Sequence, residues 1–198
     1  FKDEIAPVTI PQRKGDPLVF ETDERPMETS AEKMGKLRPA FKKDGTVTAG
    51  NASGINDAAA SLLIMAADTA SELGLTPLAR IRAHASAGLD PAYMGLGPIP
   101  AVRKILAKEG MGISDFGRIE LNEAFAAQAI ACARELECDM EKTNAVGSGI
   151  SLGHPIGCSG ARILVSLVGQ LKREGLDMGL ASLCIGGGQG MAMVLEQV

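Results

Sequence analysis

Aromatic side chains are scarce in this sequence: of 198 residues none is tryptophan, and only 3% are aromatic. Its core must therefore be packed by Ala, Leu, Ile, Val and Met. Positive charge is not in excess either, because the formal net charge is −4 at pH 7. A nucleic-acid-binding protein would show a basic face, and a membrane protein would show a long apolar run. We therefore expect neither nucleic acid nor membrane as a partner.

Paired cysteine motifs are also lacking. The four cysteines, Cys132, Cys138, Cys158 and Cys184, form no CxxC pair, and the charged start of the chain is unlike a signal peptide. Reduced thiols in a cytoplasmic protein are the expectation. Cys158 lies close to His154, but no further ligands follow with zinc-like spacing, so we expect no metal site.

Glycine is abundant, with 24 residues, many of them in tight clusters. Residues 1–48 are rich in proline and charge and predict an irregular surface subdomain. After residue 48, strand and helix patterns alternate, which predicts an α/β layered fold. The predicted helices are 57–73, 98–109, 123–136 and 159–174, and the predicted strands are 80–87, 119–121, 180–185 and 191–197.

One of only two histidines, His154, lies between Gly153 and Pro155. A loop so bare of side chains admits a ligand, and imidazole can donate to an oxyanion or act as a base near neutral pH. The alternative is a structural loop histidine that bonds a carbonyl group. The residues alone leave both open.

Cys184 ends an apolar stretch and enters three glycines, whose N–H groups can stabilise a thiolate or bind an oxyanion. The alternative is a buried small hydrophobe. The glycine run does not match GxGxxG, so nucleotide binding is disfavoured. Asn122 lies where a strand is predicted to end, the edge at which open α/β sheets bind ligands. It could equally be a helix N-cap.

Five segments of this sequence resemble motifs of one known family and follow one another in the family's order. The chain contains Asn-Glu-Ala-Phe at 122–125, Gly-His-Pro-Ile-Gly-Cys-Ser-Gly at 153–160 and Cys-Ile-Gly-Gly-Gly-Gln-Gly at 184–190. These three resemble the C-terminal signatures of the thiolases. Two more segments, Gly-Asn-Ala-Ser-Gly-Ile-Asn-Asp at 50–57 and Met-Gly-Leu-Gly-Pro-Ile-Pro at 94–100, are similar to the family's pantetheine-contacting loop and to a further family segment.

The resemblance implies a partial subunit. A thiolase subunit is about twice this length, and its nucleophilic cysteine lies in an N-terminal half that this chain lacks. Residues 1–55 would be the tail of the CoA-binding loop domain, residues 56–76 a helix belonging with the absent half, and residues 77–198 the C-terminal thiolase domain. The implied fold is the C-terminal half of a thiolase-like layered fold, a mixed sheet covered by helices.

The resemblance also assigns roles. Cys184 would be the acid/base that deprotonates the α-carbon of acetyl-CoA or activates the CoA thiol. His154 would activate the absent nucleophile and donate to the enolate oxyanion, and Asn122 would position a water in that oxyanion hole. Gly186 would be a backbone donor to a second hole. The implied CoA or acyl contacts are Ser53, Ala49, Phe41, Met94, Ala124 and Phe125, with Arg25 as a candidate on the adenine side.

The activity implied is condensation of two acetyl-CoA to acetoacetyl-CoA and CoA, or its reverse, with no cofactor beyond the CoA thioester substrate. The isolated chain would be inactive. Its implied partners are the N-terminal half and, when complete, further copies in a dimer or tetramer. A degradative 3-ketoacyl-CoA thiolase and a non-catalytic CoA-binding module remain as alternatives.

Overall fold

The core is built on one four-stranded sheet whose two faces are both covered by helices. The computed structural model describes residues 1–198. The strands and α-helices in chain order are β1 (Val8–Ile10), β2 (Leu18–Phe20), α1 (Ala31–Gly35), α2 (Ala67–Glu72), β3 (Ala79–Gly88), α3 (Pro98–Glu109), β4 (Arg118–Leu121), α4 (Ala126–Glu135), α5 (Gly149–Leu152), α6 (Ser159–Glu174), β5 (Met178–Ile185) and β6 (Gln189–Gln197). Short 3-10 helices span Pro91–Leu96 and Ile113–Asp115.

The sheet is mixed, with strand order β3-β6-β5-β4. Strand β6 runs antiparallel to both β3 and β5, whereas β4 and β5 are parallel. The connection from β4 to β5 passes through α6, which packs on the sheet, as parallel neighbours require. The expected α/β class, a mixed sheet covered by helices, is confirmed.

Two apolar clusters hold the layers together. The larger one joins α3 and α4 to one face of the sheet and includes Val102, Ile105, Phe116 and Leu180. The smaller one lies on the opposite face, where Ile163, Leu167 and Leu171 of α6 pack against β5 and β6. Its members recur at the helical spacing of four that the sequence shows in residues 159–174.

Two helices have the predicted ends. Helix α3 begins at Pro98, where the missing N–H and fixed φ suit a first turn. It ends before Gly110, which adopts a left-handed φ of 68°. Helix α6 ends in the same way at Gly175, with φ 64°. A left-handed glycine after the last turn is the usual helix stop.

The predicted helix over 57–73 is wrong for most of its length. Only Ala67–Glu72 is helical, and residues 53–66 form no regular helix or strand. A short helix in water is held mainly by packing of its apolar face, and this stretch packs on little, since Ile55 is 99% and Leu63 81% exposed. Asn56, just before the predicted helix, lies against Gly153.

The helix predicted over 123–136 starts later, at Ala126. The residue before it, Phe125, is extended and forms an antiparallel bridge with Ala52. Its N-cap is Phe125, so Asn122 is not a helix cap. The predicted strands are all present, with β4, β5 and β6 each beginning one or two residues earlier.

Residues 1–48 lie on the surface as predicted: they contain the small β1–β2 ribbon and helix α1, and none of them is buried. The longest helix, α6, has 16 residues, and no helix combines the length and apolar character needed to cross a membrane. No three His, Cys, Asp or Glu side chains converge in a way that could hold a metal ion.

Candidate active site

The candidate site lies at the carboxyl edge of the parallel strand pair. The ladder between β4 and β5 pairs Leu121 with Ser182, and the Asn122 N–H continues it by donating to the Ser182 carbonyl at 3.0 Å. Asn122, just past β4, and Cys184, near the end of β5, therefore lie at the same edge of the sheet. Ligands collect at this edge in open α/β sheets.

Asn122 and His154 are in direct contact. The Asn122 side chain is fully buried, and its Nδ2 lies 3.4 Å from His154 Nε2. On the other side of the ring, His154 Nδ1 lies 2.6 Å from the Ser159 hydroxyl, which donates to the Pro155 carbonyl at 3.1 Å. The structural alternative, a histidine bonded to a carbonyl group, does not describe this ring.

With the Asn122 amide in this orientation, the contacts favour one tautomer of the neutral ring. An amide nitrogen can only donate, so Nε2 accepts from Asn122 and the ring proton is on Nδ1. The Ser159 oxygen accepts that proton, because its own hydrogen is directed to Pro155. The Nε2 lone pair of His154 therefore faces Asn122 and is available to accept a proton.

The electrostatic surroundings of His154 favour this neutral form. Burial lowers the pKa of the imidazole, and the positive charge of Arg162 lowers the pKa further. A base must be unprotonated at its working pH, so both effects increase the fraction of His154 that can act as a base near neutrality.

The turn after β4 is braced by side chains. Asn144, held at a left-handed φ of 52°, accepts from the Leu121 N–H and donates to the Leu121 carbonyl, each at 2.8 Å. Its Nδ2 also donates to Glu123, whose second oxygen accepts from the Ile150 N–H at 3.3 Å. Asn122 is thus positioned by a rigid, hydrogen-bonded turn.

Cys184 lies at the same sheet edge but on the other face. Alternation along β5 directs it to the side of Leu180, the face covered by α3 and α4. Its thiol makes no hydrogen bond to Asn122 or His154. Burial raises its pKa, and a hydrogen bond to its own backbone offsets part of that increase. The thiol is therefore protonated at neutral pH rather than held as a thiolate.

The glycine run forms the turn between β5 and β6. Gly186 is exposed, and a side chain there would meet no atom within 4 Å, so its backbone is open to a ligand. Gly188 and Gly190 are different. A Cβ on Gly188 would overlap the Leu89 carbonyl, and one on Gly190 would overlap the Gly97 carbonyl.

The loop at residues 50–57 joins the site through its backbone. The Ser53 N–H donates to the Ala124 carbonyl at 3.0 Å, and the Ala126 N–H donates to Asn51 at 2.9 Å. The His154 N–H donates to Gly54 at 3.0 Å. Three of the sequence segments that resemble one family, 50–57, 122–125 and 153–160, therefore meet in space.

The remaining predicted contact residues surround this junction. Phe41 stacks edge-on against Phe125, with ring centroids 6.1 Å apart. Met94 lies in the 3-10 helix whose Gly95 contacts Gln128, and Gln128 accepts from the Ala124 N–H at 3.2 Å. Ala49 is exposed at the start of the loop. Arg25 lies against Gly54, where a Cβ would be 2.7 Å from its Cζ.

An open groove of about 480 Å³ runs beside the His154 loop. One wall is the extended stretch 56–60, and the other is formed by residues 155–158 and Ala161. Its Cys158 precedes α6, and Ile156 in the wall is 78% exposed. The histidine loop is therefore accessible from this side of the molecule.

Several functional residues are not evident from the sequence. Ser159 is a serine in a glycine-rich stretch, and only the start of α6 directs it at His154. Asn144 shows no signal beyond its residue type. Glu120 lies in a short strand pattern, yet it is 1% exposed and bonded to Gln170 of α6 at 2.7 Å. The only sequence signal for a buried Glu120 is its position between two apolar strand residues, Ile119 and Leu121.

Comparisons with known proteins agree on one family. The thiolase C-terminal domain model matches residues 75–197, and the thiolase N-terminal domain model matches residues 1–68. The chain is 57% identical to the acetyl-CoA acetyltransferase of Thiocystis violacea and 58% identical to that of Syntrophomonas wolfei. These alignments cover 100% and 99% of this chain and 50% of each relative.

Solved structures give the same result. The Bacillus anthracis acetyl-CoA acetyltransferase matches 99% of the chain with a TM-score of 0.91 and 54% identity. Human mitochondrial 3-ketoacyl-CoA thiolase matches 99% with a TM-score of 0.88 and 43% identity. In both cases half of the known structure is covered, so the chain spans about half the length of its relatives. On this sequence and fold evidence, the chain belongs to the thiolase family.

Proposed function

We propose that this chain supplies the proton-transfer half of an acetyl-CoA acetyltransferase, which condenses two acetyl-CoA to acetoacetyl-CoA and CoA or catalyses the reverse. The observation that carries the proposal is the Asn122–His154 contact, in which the unprotonated ring nitrogen Nε2 faces the Asn122 amide while Nδ1 is bonded to Ser159. Relatives named acetyl-CoA acetyltransferase support the choice of reaction. The nucleophilic cysteine would be supplied by an N-terminal half.

The roles follow from the chemistry of each group. His154 takes the proton of the nucleophilic thiol, which then accepts an acetyl group from the first thioester while CoA leaves. Cys184, protonated at rest because burial raises its pKa, acts as proton carrier: it gives its proton to the departing CoA thiolate, and the resulting Cys184 thiolate removes a proton from the α-carbon of the second acetyl-CoA. The enolate formed attacks the acetyl group on the nucleophilic cysteine, and the cysteine sulfur leaves and takes back the proton held by His154. Claisen chemistry places negative charge on a thioester oxygen at each stage, so preorganised donors are useful. Asn122, His154 and the Gly186 N–H would supply them.

The proposal also includes a docking site for the N-terminal half. Cys184 and His154 lie on opposite faces of one sheet edge, and a substrate that reaches both must approach that edge end-on. The groove lined by residues 155–158 leaves the loop that follows His154 accessible from one side. We propose that the N-terminal half docks there and that the complete subunits assemble as a dimer or tetramer.

The test is to complete the enzyme. The chain is joined to the N-terminal half of the Thiocystis violacea acetyl-CoA acetyltransferase, and thiolysis of acetoacetyl-CoA is measured beside the unjoined chain. We expect activity only in the joined protein, with His154→Ala and Cys184→Ala each lowering kcat by about 10²–10⁴-fold. Thiolysis by the unjoined chain that is abolished by Cys184→Ala would contradict a nucleophile supplied from elsewhere. Near-normal turnover in either variant would remove that residue from the mechanism.

A degradative 3-ketoacyl-CoA thiolase is the second candidate, supported by the fit to the human mitochondrial 3-ketoacyl-CoA thiolase. The joined protein separates the two by its kcat/KM for acetoacetyl-CoA and for a 3-ketoacyl-CoA of eight carbons. A preference for the longer substrate would favour the degradative enzyme. Binding of CoA by calorimetry without turnover of either substrate would favour a non-catalytic CoA-binding module.

A further inference from the structure

A charged layer lies directly beneath the Asn122–His154 contact. Alternation along β4 places Glu120 on the same side as Asn122, and helical spacing places Arg162 on the same face of α6 as Ser159. The two elements therefore meet in two successive layers. The upper layer is Asn122 with His154 and Ser159. The lower one is Glu120 with Arg162, whose guanidinium lies 3.7 Å from the carboxylate.

The lower layer is buried and incompletely paired. The side chain of Glu120 is 1% exposed and that of Arg162 is 19% exposed. Gln170 donates to one Glu120 oxygen at 2.7 Å, while the other oxygen and both terminal nitrogens of Arg162 have no hydrogen-bond partner. A buried cation that is not fully neutralised acts strongly on nearby groups, since water screens it little.

We propose that Arg162 is a positioning residue for His154: its buried positive charge, held over Glu120 one layer below the Asn122 contact, keeps the imidazole in the neutral form that accepts a proton. The inference rests on the proposed function only in the identity of the proton donor, the nucleophilic thiol from which His154 takes a proton.

Glu120 does not cancel the charge where histidine titrates. Burial raises the pKa of its carboxyl group to about 7, so at and below the ordinary histidine pKa of about 6.5 the group is largely protonated. Arg162 keeps its charge at these pH values, even though burial lowers its pKa. The positive charge of Arg162 therefore opposes protonation of His154, which agrees with the lowered pKa of that imidazole.

Other charged or titratable groups lie on the elements packed around the site. Cys158 precedes α6, Glu123 follows β4, and Arg25 and Asp57 lie in the N-terminal stretch against residues 54 and 155–158. Cys184, one residue before the end of β5, lies on the opposite face of the sheet. A substitution at Arg162 leaves all of these residues in place, but the Arg162 charge also interacts with Glu120, Glu123 and Cys158, so a variant at Glu120 is needed as a control.

The experiment is a pH titration of both imidazoles by NMR in the ¹⁵N-labelled 198-residue chain. The chain has only two histidines, and His84, exposed on the edge strand β3, is an internal reference. We expect Arg162→Met to move the His154 midpoint to higher pH, beyond the scatter of the His84 midpoint. Arg162→Lys keeps the charge and should keep the low midpoint.

Two matched variants separate charge from structure. Arg173→Met removes a positive charge from the same helix about 16 Å away by helical rise, where Arg173 pairs with Glu4, and should leave the midpoint unchanged. Glu120→Gln alters the layer but leaves Arg162 charged, so the midpoint should stay low. The proposal is overturned if Arg162→Met leaves the midpoint in place, or if Glu120→Gln raises it equally.

The outcome does not depend on activity. Should Arg162→Met not fold, Arg162→Gln replaces it. Should neither fold, Arg162→Lys decides, because it keeps the charge: a His154 midpoint that rises in Arg162→Lys overturns the proposal. In the joined enzyme the acid limb of the kcat/KM–pH profile should move to higher pH in Arg162→Met. If that enzyme is inactive the proposed function fails, while the imidazole midpoints still test Arg162.

Discussion

At the scale of single residues, Ser159 determines which ring nitrogen of His154 carries the proton. It is fully buried, lies 2.6 Å from Nδ1 and directs its own hydrogen to Pro155. Without it, the Nδ1–H would have no acceptor in a buried place. Fixing the tautomer through the second ring nitrogen is a common way to prepare a histidine for proton transfer.

We expect Ser159→Ala to move the neutral ring of His154 toward the tautomer protonated at Nε2, because the unpartnered Oδ1 of Asn122 can accept that proton after the amide turns. The ¹⁵N chemical shifts of the two ring nitrogens report the change. The unsatisfied group should also lower the free energy of unfolding by about 1–3 kcal/mol if the tautomer does not change.

Ser166→Ala is the matched control for this variant, since Ser166 is buried on the same helix and its hydroxyl does not contact a histidine. It should leave both ring nitrogens unchanged. Identical ¹⁵N shifts in Ser159→Ala and the wild type would show that Asn122 alone fixes the tautomer.

The sequence identifies the polar residues with small neighbours and misses those that orient them. His154 and Asn122 are evident because glycine or a strand end leaves them accessible. Ser159, Asn144 and Arg162 act only through the direction in which α6 and the turn after β4 present them. That direction depends on how a helix packs on a sheet, which a local pattern does not contain.

At the scale of elements, the helix ends are predicted correctly where a proline or a glycine marks them. Proline at the start and glycine past the end define α3 to the residue. The stretch 57–73 has an equally good alanine pattern but no surface to pack on, so only Ala67–Glu72 is helical. Helical spacing is therefore a reliable guide only where a partner surface exists.

We expect Gly190→Ala to lower the free energy of unfolding by about 1–3 kcal/mol, because its Cβ would overlap the backbone of Gly97. Gly160→Ala is the matched control, since that position faces open space in the first turn of α6. There alanine should be neutral or stabilise by up to about 1 kcal/mol. Urea unfolding measures both, and equal effects would argue against the close contact.

At the scale of the whole molecule, the apolar surface is unevenly distributed. The sheet and its helices bury a continuous core, while Ile55, Leu63 and Ile64 are 99%, 81% and 65% exposed in the extended stretch. Contiguous exposed apolar groups of this kind favour association. The sequence indicates this surface correctly even though its conformation is not the predicted helix.

We therefore expect the 198-residue chain to associate as its concentration rises. Replacing Leu63 and Ile64 by serine should shift the population toward monomer, as measured by light scattering after size exclusion. Met27→Ser is the control, because Met27 is 75% exposed but lies outside this stretch. A wild-type chain that stays monomeric at all concentrations would contradict the expectation.

The contact between Gly97 and Gly190 has a mechanical consequence. One glycine follows the 3-10 helix that holds Met94, and the other begins the return from the turn that holds Gly186. Because their backbones touch with no side chain between them, neither segment can be displaced toward the other. A displacement of one segment toward the other is therefore transmitted to the second, so the turn that holds Gly186 and the 3-10 helix that holds Met94 are mechanically coupled.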